Sequence, residues 1–212
     1  MAISKTYING DITALYNWLV ANASDYFTSF ENNTDYVSCY IGEHKALDLY
    51  IDLRYSGLGG VKFYTNTGKT LGISGSQNGR VIEWAYKTTT SLAFSSVYSG
   101  TSSPFAIVIT KDNNNDVSVV VVNAFTPNLS GNNTVYAVSM ESESIDSVSL
   151  APNTGKATSA LCPLIVSGTT MRYLPNVYYM PFAQYSIEGS FLIDNVVYLC
   201  NGIIAVKDEY RG

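Results

Sequence analysis

The stretch PFAIVITKDNNNDVSVVVVNAF, residues 104–125, gives the clearest indication of the fold class of this chain. It contains two apolar runs, PFAIVIT and VSVVVVNAF, whose valine and isoleucine residues favour β-strands. The polar segment KDNNND between the runs has the composition of a turn. The stretch therefore predicts a β-hairpin, and similar short runs occur on both sides of it.

Toward the N-terminus, the segment ALDLYIDLR (46–54) alternates between apolar and polar residues. This period of two predicts a strand with one face in the core and the other in solvent. The predicted core face carries Leu47, Leu49, Ile51 and Leu53, and the predicted solvent face carries Asp48, Tyr50, Asp52 and Arg54. The preceding segment YVSCYIG (36–42) is the expected hairpin partner.

Further strands are expected at RVIEWAY (80–86), SLAFSSVYS (91–99), TVYAVSM (134–140) and SIDSVSL (144–150). Strands separated by turn signals at roughly ten-residue spacing are typical of sandwiches and barrels. The chain is therefore predicted to form a single β-rich domain over residues 1–212. A weak boundary near 151–160 makes 161–212, a C-terminal β-meander, a possible sub-module.

One helix interrupts this pattern, in NGDITALYNWLVANAS (9–24). Asp11, or Asn9 before it, is a suitable N-cap, and residues 22–24 offer a stop. Apolar residues recur at helical spacing, namely Ile12, Leu15, Tyr16, Leu19 and Val20. The prediction is a mainly β, antiparallel sandwich or barrel-like fold with one N-terminal amphipathic helix over about 11–23.

Composition limits the classes of function. Hydrophobic residues make up 46% of the 212 residues and charged residues only 14%, with a net charge of −5. Because the 12 basic residues form no cluster, we expect no nucleic-acid partner. The chain has no signal-peptide pattern and no run of membrane-spanning length, so we expect cytosolic synthesis and no membrane span.

The segment DNNND resembles the opening of a calcium-binding loop, with Asp112, Asn114 and Asp116 as candidate ligands. Such a loop needs glycine at its sixth position and glutamate at its twelfth, where this chain has Val117 and Asn123. We therefore expect a hairpin turn and no metal site, with weak calcium binding by the Asp112–Asp116 loop left open.

The chain contains one histidine, His44, and three cysteines, Cys39, Cys162 and Cys200. The cysteines are far apart and odd in number, so we expect buried thiols without metal or redox spacing. Cys39 and His44 are close enough in sequence for a thiol–histidine pair, but no residue is identified that would orient it.

Two other motifs are also weak. GKT at 68–70 resembles the end of a phosphate-binding loop, but the required glycine is replaced by Phe63. Asp48 and Asp52 are about 13 Å apart along a strand, too far for a close carboxylate pair. We therefore predict that Asp48 and Asp52 lie on a solvated face near Arg54. Because none of these motifs is complete, we predict no enzyme activity and neither catalytic nor cofactor-binding residues.

The final segment, GSFLIDNVVYLCNGIIAVKDEYRG (189–212), predicts a hairpin around a two-residue turn at Asn201-Gly202. That turn would pair Cys200 with Ile203 and Leu199 with Ile204. Both faces of the hairpin would then be apolar, which predicts burial on both sides.

The segment YLPNVYYMPFAQYSIEGSFLIDNVVYLCNGIIAVKDE (173–209) resembles the closing module of small structural proteins of tailed phages and prophages of gut Firmicutes. The shared pattern is PNVYYMP (175–181), then a glycine, then short strands ending in NG and an apolar–Lys–Asp sequence (201–208). The opening YINGDITALYNWLVANA (7–23) is similar to such proteins too. The resemblance implies a virion component and does not imply an enzyme.

Two functions are expected on these grounds. The first is a non-enzymatic virion structural protein, assembled in the bacterial host cytoplasm, that docks on other virion proteins or on copies of itself. A tail, baseplate or neck position is expected first and the capsid surface second. The alternative is a carbohydrate-binding β-sandwich that recognises a host surface, because tyrosine rings stack on sugars and the chain has 17 tyrosines.

Overall fold

A computed structural model describes the helix and strands of the chain over the following residue ranges. The described residues are 2–3, 11–52, 57–74, 82–87, 91–96, 105–111, 117–123, 133–141, 146–150, 159–160, 165–167, 170–172, 177–179, 189–193, 195–200 and 204–208. The candidate calcium loop Asp112–Asp116, Cys162 and residues 151–158 of the weak boundary near 151–160 lie outside these residues.

The predicted helix is present as α1, Ile12–Ala23. Its N-cap is Asp11, whose Oδ1 accepts hydrogen bonds from the amides of Thr13 (2.9 Å) and Ala14 (3.3 Å), so the predicted cap is confirmed. The buried side of α1 is rotated from the predicted stripe. Val20 is 40% exposed, and the buried positions are Leu15, Trp18, Leu19 and Ala23.

The described residues also form nineteen strands. The first twelve are β1 (Ala2–Ile3), β2 (Ser29–Asn32), β3 (Tyr36–Ile41), β4 (His44–Asp52), β5 (Gly57–Tyr64), β6 (Thr70–Ser74), β7 (Ile82–Lys87), β8 (Ser91–Ser96), β9 (Phe105–Lys111), β10 (Val117–Asn123), β11 (Asn133–Ser139) and β12 (Asp146–Leu150). The others are β13 (Ser159–Ala160), β14 (Ile165–Ser167), β15 (Thr170–Arg172), β16 (Val177–Tyr179), β17 (Gly189–Ile193), β18 (Val196–Cys200) and β19 (Ile204–Lys207).

The strands pair antiparallel in three larger sheets and one two-stranded pair. Sheet I is the meander β2-β3-β4-β5-β6, and sheet II has the order β1-β7-β8-β9-β10-β11-β12. Sheet III has the order β13-β16-β19-β18-β17, and β14 pairs with β15. The predicted mainly β, antiparallel fold with one helix is confirmed.

One hydrophobic core joins α1 to sheets I and II. From α1 it receives Leu15, Trp18 and Leu19, and from sheet I residues such as Leu47 and Phe63. The β9–β10 hairpin supplies Ile107, Ile109, Val117, Val119 and Val121 from sheet II. Because successive strand residues point to opposite faces, these alternate residues form one continuous apolar face.

One row of described residues on the opposite face of sheet II is buried as well. Tyr86, Ala93, Val108 and Val120 are paired in one row across four neighbouring strands, and each of the four is at most 1% exposed. At one end of the row, the Tyr86 hydroxyl donates a 2.9 Å hydrogen bond to buried Asp208. The C-terminal segment therefore contributes to the cover of this second face.

The C-terminal strands form a hairpin whose register differs from the prediction. Cys200 pairs with Ala205 and Leu199 with Val206, a shift of two residues from the predicted register. The predicted turn residues Asn201-Gly202 lie outside the described residues. The shift of two residues keeps Leu199 and Val206 on one face, because side chains alternate with a period of two. Strand β19 lies in the centre of sheet III, between β16 and β18. It is therefore held by backbone hydrogen bonds to a neighbouring strand on each side.

The turn before β18 uses Asn195 in the left-handed region, with φ 64°. Asparagine tolerates this conformation better than most residues other than glycine, which allows a tight β17–β18 connection. In the part of the chain that the structure describes, no helix is long and apolar enough to cross a membrane.

Candidate functional site

The outer face of sheet I, opposite the shared core, carries a cluster of tyrosines. On β3, Val37 and Cys39 point into the core, so the alternate residues lie on the outer face. We call this outer surface the tyrosine face, and define it as Tyr36, Ser38, Tyr40, Lys45, Asp48, Tyr50, Lys62 and Tyr64. All four tyrosines are half-buried.

A β-bulge places Lys45 on this face. The β3–β4 register shifts between Cys39 and Tyr40, so that Cys39 pairs with Leu47 and Tyr40 with Lys45. Ala46, the extra residue on β4, is buried in the core together with Leu47. Strict alternation from Leu47 would turn Lys45 toward the core, whereas the bulge returns it to the outer side.

A buried carboxylate lies in the middle of the tyrosine face. Asp48 is paired with Ser38 on one side and Lys62 on the other, and its side chain is only 2% exposed. The Ser38 hydroxyl donates to Asp48 Oδ1 at 2.7 Å, and the Tyr64 hydroxyl donates to Oδ2. The expected solvated position for Asp48 is therefore wrong, because neighbouring side chains cover the carboxylate and supply its hydrogen bonds.

Lys45 covers this carboxylate and lies among aromatic rings. Its Nζ is 3.2 Å from Asp48 Oδ1, and the lysine side chain is 27% exposed. The same Nζ is 5.5 Å, 5.8 Å and 5.4 Å from the ring centroids of Tyr36, Tyr40 and Tyr64. These distances are within the range of cation–π attraction, so the Lys45 ammonium group interacts with tyrosines of both neighbouring strands, β3 and β5.

The remaining contacts fix the orientation of the outer rings. Tyr36 and Tyr50 are paired across β3 and β4, with ring centroids 5.0 Å apart. The Tyr40 hydroxyl donates to Glu31 Oε2 at 2.7 Å. Lys62 Nζ lies 5.3 Å from the Tyr64 ring centroid. Each ring is thus held by a neighbour, and the surface is arranged before any ligand binds.

Burial and hydrogen bonding raise the pKa of three tyrosines of this face, Tyr40, Tyr50 and Tyr64. Burial, together with the hydrogen bond to Asp48, raises the pKa of Tyr64, and the hydrogen bond to Glu31 raises the pKa of Tyr40. Burial lowers the pKa of Lys45, but the hydrogen bond and charge of Asp48 outweigh this effect and raise it. At neutral pH the face therefore presents hydroxyl groups and one ammonium group at its centre.

The structure does not assemble the thiol–histidine pair. Cys39 is fully buried in the shared core, where desolvation followed by the charge of Asp48 raises the pKa of its thiol. His44 Nε2 instead lies 3.2 Å from the Tyr64 carbonyl oxygen. A buried thiol with a raised pKa is a poor nucleophile, and the expectation that Cys39 is a buried thiol is confirmed.

The phosphate-loop resemblance is also explained by a turn. Residues 65–69 connect β5 to β6, and Gly68 has a positive φ of 79°. The Thr65 hydroxyl accepts a hydrogen bond from the Lys69 amide, and strand β6 follows directly instead of a helix. Among the described residues, no group of three or more His, Cys, Asp or Glu side chains could hold a metal ion.

Comparisons with known proteins found no match for this chain among protein-family models, curated proteins or solved structures. The tyrosine face combines flat aromatic surfaces with hydroxyl groups and one partly exposed ammonium group at its centre.

Proposed function

We propose that this protein is a non-enzymatic carbohydrate-binding β-sandwich, and that the tyrosine face receives the ligand. The observation that carries the proposal is the grouping of four half-buried tyrosines around the Lys45–Asp48 pair on one side of sheet I. Ligand sites combine aromatic surface with a few placed polar groups, and this face supplies both.

Sugars match this combination chemically. A pyranose ring has apolar C–H faces, which stack on aromatic rings whose own faces carry partial negative charge. Its edges carry hydroxyl groups, which need hydrogen-bond partners once they leave water. Lys45 and the tyrosine hydroxyls can provide such partners. The low charge of the chain, 14% of residues, is consistent with a neutral polar ligand.

Tyr50 is the best position for a binding test, because its ring contacts Tyr36. Among the described residues, the hydrogen bonds to Asp48 come from Ser38, Tyr64 and Lys45 and do not involve the Tyr50 hydroxyl. We expect Tyr50→Ala to weaken binding to purified Firmicute cell-wall polysaccharide by about tenfold, the scale of losing one well-placed aromatic contact. Tyr50→Phe keeps the ring and should bind within about threefold of the wild type. Affinity electrophoresis of the three proteins, with circular dichroism to confirm folding, gives the comparison. Equal mobility shifts for wild type and Tyr50→Ala would count against the proposal.

We propose, second, that the protein is a structural component of a phage particle and binds copies of itself or other virion proteins. The resemblance of residues 173–209 supports it. A specific feature of sheet III also favours it, because its edge strand β17 has the uncharged sequence GSFLI and Leu192 is 67% exposed. Uncharged apolar edge strands pair readily with other chains.

This second proposal predicts self-association. We expect the purified chain to show a solution mass above that of a 23.1 kDa monomer in sedimentation velocity or light scattering. Leu192→Lys should shift the distribution toward monomer, since a lysine on an edge strand opposes pairing. A wild-type protein that is monomeric at all concentrations and binds no virion protein would overturn this second proposal and leave the first intact.

A further inference from the structure

The aromatic rings of the tyrosine face lie on both sides of a polar centre. Tyr36 and Tyr40 are four residues apart on β3, which separates their Cα atoms by about 13 Å at the rise of a strand. Lys45 Nζ lies between their rings, 5.5 Å and 5.8 Å from the two centroids. One flat ring of a ligand cannot cover both tyrosines and the ammonium group between them.

Each side has its own aromatic surface. On one side, Tyr36 and Tyr50 form a contacting pair, with centroids 5.0 Å apart. On the other side, Tyr40 and Tyr64 flank Lys45 from the two neighbouring strands. The tyrosine face therefore offers two subsites: the first is the contacting pair Tyr36 and Tyr50, and the second is Tyr40, on the other side of Lys45.

The centre can bind polar atoms that link the two subsites. An ammonium group has three N–H donors, and Lys45 lies 3.2 Å from Asp48 Oδ1 while its side chain remains 27% exposed. Toward the β6 side, the central row continues from Asp48 and Lys62 to Gly72, where an added Cβ would meet nothing within 4 Å. The face is open there to an extended ligand.

We infer that the ligand is a chain of linked sugars that crosses above Lys45, with one sugar on the first subsite and another on the second. A monosaccharide, or the single terminal sugar of a glycan, fills one subsite only. This inference rests on the proposed carbohydrate-binding function and specifies its ligand as an oligosaccharide or polysaccharide bound along its length.

Partial acid hydrolysis of Firmicute cell-wall polysaccharide, followed by size separation, gives fragments from the monosaccharide upward. Isothermal titration of the wild-type protein should show affinity rising by at least about tenfold from the monosaccharide to fragments that reach both subsites. Tyr36→Ala should remove most of this length dependence, and Tyr36→Phe should retain it.

The two-subsite inference and the proposed function fail differently in this experiment. Monosaccharide binding as tight as that of the longest fragment, with both proteins folded, would overturn the two-subsite inference and leave carbohydrate binding standing. Length dependence that persists unchanged in Tyr36→Ala would also overturn the inference. Absence of binding at every length would instead reject the proposed function, and this inference with it.

Discussion

Replacing Asp48 with alanine is expected to lower the free energy of unfolding by about 3 kcal/mol. The carboxylate is 2% exposed and is contacted by Ser38, Tyr64 and Lys45. Its removal leaves two hydroxyl groups and an ammonium group without their acceptor beneath the tyrosine face. Because Lys45 is partly exposed, water can solvate its charge, which places the loss at the lower end of the range for broken buried ion pairs.

Urea unfolding of Asp48→Ala beside Ser38→Ala measures this effect. Ser38→Ala removes one donor and leaves the carboxylate with Tyr64 and Lys45, so its loss should be about 1 kcal/mol. Asp48→Asn keeps an acceptor oxygen and the side-chain volume, and should fall between the two. If Asp48→Ala is as stable as the wild type, the carboxylate does not organise this face.

The largest loss of stability is expected for Val120→Asp. Val120 is fully buried on the second face of sheet II, where its strand neighbours in the pairing register are Val108 and Ala137. A carboxylate placed there loses its hydration and, among the described neighbours in its row, gains no polar partner. We expect a loss of more than about 4 kcal/mol, sufficient to unfold many domains of this size.

The matched control is Val20→Asp, the same change at the 40% exposed position of α1. Its effect should stay within about 1 kcal/mol, as for most surface substitutions. Thermal unfolding followed by circular dichroism compares the two variants. If Val120→Asp has the same melting temperature as the wild type, the second face of sheet II is not covered.

Local patterns are sufficient to predict some of the elements, whereas β5 (Gly57–Tyr64) and β6 (Thr70–Ser74) are not predicted. The helix of residues 12–23, its cap at Asp11 and the β9–β10 hairpin each depend on residues within one short segment. Their spacing and turn chemistry therefore predict them directly. The strand at 44–52 likewise follows from its alternation, with Leu47 and Leu49 on the core side.

The candidate site cannot be predicted in the same way, because it depends on pairing between strands. Tyr50 reaches Tyr36 only through the β3–β4 register, and Tyr64 reaches Asp48 only through β5. The bulge at Ala46 reverses the side on which Lys45 points. Alternation within β4 alone places Asp48 on the solvent side, but side chains from the neighbouring strands β3 and β5 cover it. The C-terminal register departs from its prediction for a related reason, since β19 also pairs with β16.

Chemical-shift mapping locates a bound carbohydrate on the surface of the protein. The uniformly ¹⁵N-labelled protein is titrated with size-sorted fragments of Firmicute cell-wall polysaccharide, and the shifted backbone amides are assigned. We expect saturable shifts centred on Tyr36, Lys45 and Tyr50, with α1 unaffected, and loss of these shifts in Tyr50→Ala. Absence of shifts, or shifts confined to sheet II and α1, would contradict the proposal that the tyrosine face is a carbohydrate-binding site.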